Sequence, residues 1–173
     1  MYRALLLTGV AGVGKSTVAA AAGSVLTTAG CVNAVVDADA LAQFGPPPGR
    51  ARFYDELKCA NLAALWENFR AAGARFIVVA GTIDSLSLHK LYADSLAGCE
   101  VRLVGLTADD DTVRSRLRQR DTGAKLERHL RALQEHRRTP KTPVEHFTVT
   151  NDRTAIAVAT EILVRAGWTD QRT

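Results

Sequence analysis

Gly9-Val10-Ala11-Gly12-Val13-Gly14-Lys15-Ser16 constrains this chain more than any other stretch. It fits the pattern G-x-x-x-x-G-K-[ST], and Thr17 follows it. Tyr2 to Thr8, just before, is a short apolar run that reads as a buried strand. Lys15 to Ala29, just after, is Ala-rich and reads as a helix ending near Gly30. A glycine-rich loop between a strand and a helix is a phosphate cradle. Its glycines let the backbone wrap closely so that several N–H groups point inward, and the helix adds the positive end of its dipole. Lys15 is placed to reach the β and γ phosphates, and the Ser16 hydroxyl to bind Mg²⁺. Gly9, Gly12, Val13, Gly14, Lys15, Ser16 and Thr17 are therefore the expected nucleotide-binding residues, with ATP and Mg²⁺ as cofactors.

The rest of the chain alternates strands and helices. Strands are expected at 32–36, 75–80, 100–106 and 147–150. Helices are expected over 53–72, from Asp84 or Ser85 to about Leu96, up to about Arg120, over 126–138 and over 154–166. Thr107 and Asp110 resemble a capping box, and Gly123 is a break between helices. Gly45-Pro46-Pro47-Pro48-Gly49 must be a loop. Continuous apolar strands separated by helices mean a parallel sheet covered on both faces, hence an α/β fold. The 173 residues make one domain, 1–173.

Composition narrows the setting. Apolar residues are 47% and charged residues 23%, as in ordinary globular chains. No apolar run spans a bilayer, and the start is too short for a signal peptide, so a soluble cytoplasmic protein is expected with no membrane partner. Cys31, Cys59 and Cys99 show no metal-ligand spacing and read as small buried hydrophobes. The net charge of +4 is uneven: 114–141 holds ten Lys or Arg against three Asp or Glu. Such a segment is either a solvated face or a surface for an anionic partner.

Nucleotide binding leaves a GTPase, an ATP-driven machine or a kinase. No N-K-x-D guanine reader is present. The third strand ends Val79-Ala80-Gly81-Thr82, without the acid pair of motor ATPases. The second strand runs into Asp37-Ala38-Asp39, whose carboxylates share one side of an extended chain at the ligand-binding edge of a parallel sheet. One can hold Mg²⁺, and Asp37 is paired with Ser16 for that role. The other can take an acceptor hydroxyl's proton. Which one is the base stays open, as does plain turn-making and helix capping by the pair.

The phosphate loop, Asp37-x-Asp39 and the basic run Arg114-Ser115-Arg116-Leu117-Arg118-Gln119-Arg120, taken in order, resemble the small-molecule kinases of the nucleoside monophosphate kinase-like family. That family includes shikimate, gluconate and adenylylsulfate kinases and chloramphenicol phosphotransferase. The resemblance implies a three-layer α/β/α fold with a five-stranded parallel sheet in order 2-3-1-4-5. It also implies a lid near 114–130, short at Asp121 to Lys125, with Arg116 and Arg120 contacting the transferring phosphate; Arg114 and Arg118 are expected to face water. Asn151 and Arg153 would lie against adenine, unless they only cap a helix and charge a surface.

The same resemblance places the acceptor after the second strand. Phe44, Pro46 to Pro48, Arg50, Arg52, Phe53 and Tyr54 lie there, with Gly81, Thr82 and Asp84 at the same sheet edge and Asp39 facing the acceptor. Trp66 reads as core. The chain departs from the glycine triplet of shikimate kinases and from the D-G-D of adenylylsulfate kinases, so neither substrate carries over. The expected activity is transfer of the ATP γ-phosphate to a hydroxyl or phosphate of a small-molecule acceptor, with a natural product or antibiotic as one candidate. A polynucleotide 5′-kinase-like enzyme and a non-catalytic ATP-binding regulator are the alternatives. The absence of aromatic residues in 114–141 counts against nucleic acid. Homodimerisation stays open.

Overall fold

The computed structural model describes residues 1–43, 54–138 and 143–169. Its strands are β1 (Tyr2–Thr8), β2 (Asn33–Asp37), β3 (Phe76–Ala80), β4 (Cys99–Thr107) and β5 (Phe147–Thr150). The helices are α1 (Lys15–Thr28), α2 (Asp55–Ala71), α3 (Leu86–Ser95), α4 (Asp110–Arg120), α5 (Gly123–Arg138) and α6 (Ala155–Arg165), and a 3₁₀ turn covers Ala38–Ala42. All strand pairs are parallel, in the order β2-β3-β1-β4-β5. The five-stranded sheet expected from the sequence is the sheet observed.

Strand alternation builds a core on each face. Leu5 and Leu7 of β1 join Val78, Val104 and Val149 under α1 and α6. Ala4 and Leu6 point the other way and join Ile77, Val79 and Leu103 under α2 and α3. Trp66 is fully buried in this second core, where its indole N–H donates to the Ala97 carbonyl at 3.3 Å. A third, smaller cluster of Val113, Leu117 and Leu133 packs α4 and α5 against Val10 and Ala11 of the phosphate loop.

Registry places the site. Leu7 pairs with Ala80, and Ala80 with Asp37, so β1, β3 and β2 finish level with one another. The Thr8 hydroxyl clips two of these ends together: it donates to the Ile83 carbonyl (2.9 Å) and accepts from the Ile83 amide (2.8 Å).

Three local expectations need correction. Helix α4 is capped by Asp109, whose carboxylate accepts from the Thr112 amide at 2.8 Å, and not by Thr107. Thr107 is still strand, paired with Thr150. Gly123 does not break the chain but opens α5, so only Asp121 and Thr122 separate α4 from α5. All three cysteines are free, but only Cys59 is buried; Cys31 and Cys99 are half-buried. Among the described residues no helix is long and apolar enough to cross a membrane.

Candidate active site

The phosphate loop turns out of β1 into α1. Gly14, the residue before α1, has φ +103°, a left-handed conformation that suits glycine. A Cβ there would also lie 2.4 Å from the Asn151 side-chain amide. No side chain caps the first turn of α1, and that turn carries no acidic residue. Its amides and dipole therefore face the loop, as an anion site requires. Lys15 curls back over the loop, donating from Nζ to the Gly9 carbonyl (2.8 Å) and the Val10 carbonyl (3.1 Å). Burial holds its pKa below the usual lysine value, Asp39 and Asp37 oppose that effect, and Arg120 adds to it. Ser16 and Thr17 are exposed at the helix start.

Asp37 and Asp39 diverge. The Ser16 hydroxyl donates to Asp37 Oδ2 at 2.6 Å, while Asp37 Oδ1 accepts from the Asp39 amide at 3.0 Å. The Asp39 side chain is 63% exposed, and Lys58 Nζ approaches its Oδ1 at 3.3 Å. Lys58, nearly buried on α2, also lies 3.8 Å from Asp55. Burial raises the Asp55 pKa; Lys58 lowers it, and Asp39 and Asp84 raise it further. Asp37, Asp39, Asp55, Lys58 and Asp84 thus form one charged group around the ends of β2 and β3.

The inner face of α4 closes the other side. Arg116 donates from Nη1 to the Val13 carbonyl (3.2 Å) and from Nη2 to the Asn151 carbonyl (3.5 Å). The buried Asn151 side-chain amide donates to the same Val13 carbonyl at 2.8 Å. Arg120, one turn after Arg116, grips Asp121 by Nε (3.1 Å) and Nη2 (2.8 Å). Arg118 is exposed, and Arg114 is half-buried, 3.8 Å from Asp110.

These parts fit a nucleoside triphosphate with its metal. Uncapped amides, the Lys15 ammonium and two arginines could meet phosphate oxygens, and a hydroxyl beside a carboxylate could hold Mg²⁺.

Residues 5–143 match a family model described as an AAA domain. The chain belongs to that family. This AAA-domain protein also has the fold of P-loop small-molecule kinases. It is similar to a tunicamycin resistance protein from Deinococcus radiodurans, at 21% identity and TM-score 0.68 over 98% of each chain. It is similar to the APS kinase of Mycobacterium tuberculosis, solved with AMPPNP and APS, at 19% identity and TM-score 0.61 over 96% of this chain and 98% of that one. A shikimate kinase from Bacteroides thetaiotaomicron gives 16% identity and TM-score 0.66 over 95% of this chain and 98% of that one. No curated protein sequence matches.

Other expected residues fall in several places in the AAA-domain chain. Gly81 is buried under the 3₁₀ turn, where a Cβ would meet Ala38 Cβ at 3.3 Å; Thr82 and Asp84 are exposed beside it. Arg153 lies on the surface, paired with Asp152 and Glu161. Asn151 buttresses the phosphate loop with its side chain. Arg50 and Arg52, with Phe44, Pro46 to Pro48 and Phe53, lie outside the described residues. Two residues escaped sequence reasoning. Lys58 meets Asp39 from nineteen positions away, and no local pattern marks it. Asp121 did carry a signal, since Lys125 and His129 follow it at successive intervals of four.

Proposed function

We propose that this AAA-domain protein is a phosphotransferase that uses ATP and Mg²⁺ and moves the terminal phosphoryl group onto a hydroxyl, or a phosphate, of a small-molecule acceptor. One observation carries the reading: the 2.6 Å contact of Ser16 with Asp37 lies beside Lys15, while Asp39, two residues on, stays exposed. The family match and the fold shared with kinases support it.

Lys15 leaves the Gly9 and Val10 carbonyls to pair with phosphate oxygens. Ser16 and Asp37 would hold Mg²⁺, which would supply neutralisation of phosphate charge. Asp39, whose oxygen is free of the Ser16 contact, accepts the proton of the attacking hydroxyl. Arg116 and Arg120 offset negative charge on the transferring group.

Coupled release of ADP across an acceptor panel tests the reading. The panel holds nucleosides, nucleotides, shikimate, gluconate, adenylylsulfate, hydroxylated antibiotics including tunicamycin, and 5′-hydroxyl oligonucleotides. Lys15→Ala is the blank. Release that depends on one small-molecule pool and vanishes in Lys15→Ala is expected. Release only with oligonucleotides would move the assignment to a polynucleotide kinase. ATP binding with no release on any acceptor would favour a nucleotide sensor.

A further inference from the structure

Asp121 is a carboxylate that the proposed chemistry does not use. Its side chain has no solvent exposure, yet it takes three basic partners: Arg120 at 2.8 Å, Lys125 at 3.0 Å and His129 at 2.7 Å. One cation would balance one charge, and a buried ion pair is weak evidence for a purely stabilising role. The three partners come from both sides of the α4–α5 junction. Arg120 ends α4, and Lys125 and His129 lie on the first turns of α5.

We propose that Asp121 is a positioning residue that aims Arg120 at the phosphate site. Four observations lead there. The grip on Nε and Nη2 is two-pronged, which fixes a guanidinium plane where a single contact would leave it to swing. Side-on binding also turns Nη1 away from the carboxylate. Arg116, one turn earlier on the same face of α4, already touches the Val13 carbonyl, so this face looks onto the phosphate loop. Arg120 itself is within electrostatic reach of Lys15 and of Asp39. An arginine held in place before the ligand arrives loses less freedom when it acts.

The inference rests on the phosphotransfer reading, and its test separates the two. Calorimetric titration with ATP and with ADP, both with Mg²⁺, needs no acceptor. Asp121→Asn should weaken ATP by about tenfold and leave ADP nearly unchanged, since a misaimed arginine loses the terminal phosphate first. With an acceptor in hand, kcat should fall by about 100-fold with little change in acceptor KM. In an Arg120→Gln background, Asp121→Asn should add nothing further. The paired variant Lys125→Met with His129→Gln removes two contacts and keeps the Arg120 grip, so it should retain both the ATP preference and the rate. Should Asp121→Asn fail to fold, Arg120→Lys carries the test, because it keeps the charge and loses the two-pronged geometry.

Multiplying losses in the double variant would overturn the proposal. So would an Asp121→Asn-sized loss in the Lys125/His129 pair, or full activity in Arg120→Lys. Wild-type protein that binds no ATP would fell the phosphotransfer reading and this proposal together, whereas an unchanged ATP-to-ADP ratio in Asp121→Asn fells the proposal alone.

Discussion

Asp37 gives one oxygen to the Ser16 hydroxyl and the other to the Asp39 amide, so each of its oxygens already holds a partner. Among the described residues Asp39 pairs with Lys58 alone, and it is open to solvent. The two carboxylates should therefore fail differently. Asp39→Asn should lower kcat by about 100-fold with ATP affinity intact. Asp37→Asn should raise the Mg²⁺ concentration needed for half-maximal rate, read from a metal titration. Lys15 supplies a pH test. Its pKa is lowered by burial, so it loses its charge at a lower pH than an exposed lysine. The alkaline limb of kcat/KM for ATP, which reports the free enzyme, should fall below the ordinary lysine value of about 10.4. Lys15 and Ser16 could be read from eight consecutive residues because one loop holds them. Lys58 could not, because its partner Asp39 is brought to it by the packing of α2 on the 3₁₀ turn.

Helix ends show where local patterns compete. Thr107 and Asp109 both suit an N-cap, but β4 continues through Thr107 because Thr150 offers it a strand partner. The strand takes Thr107, and Asp109 becomes the cap. Replacing Asp109 with Ala should lower the urea midpoint of unfolding, and replacing Thr107 should not reproduce that cap loss. The strands were legible because buried parallel strands are unbroken apolar runs. The α4–α5 junction was not, because Gly123 at φ +54° starts a helix where a glycine more often ends one. The Asp121 cluster gives this junction a pH signature. The Arg120 guanidinium, with Lys125 and His129, holds the Asp121 carboxyl well below its usual range. A depressed folded pKa gives a contribution that is complete above the unfolded value of about 3.9 and is lost as pH falls through the folded one. The stability gap between wild type and Asp121→Asn should thus close as pH falls below about 3.9.

At the scale of the whole molecule, two cores share one sheet, and β1 lies in the middle of both. Its hydrogen-bond partners are β3 and β4, while the loop that follows it is held at Val13 by Asn151, just past β5. The residues that define the nucleotide site thus come early in the chain and their supports come late. On a ribosome, β1 must wait for residue 107 before both neighbours exist, and the loop must wait for residue 151 before its last prop arrives. Closing contacts over such separations is slow compared with forming helices. In refolding from urea, helical circular dichroism should recover first, and binding of a fluorescent ATP analogue should lag behind it.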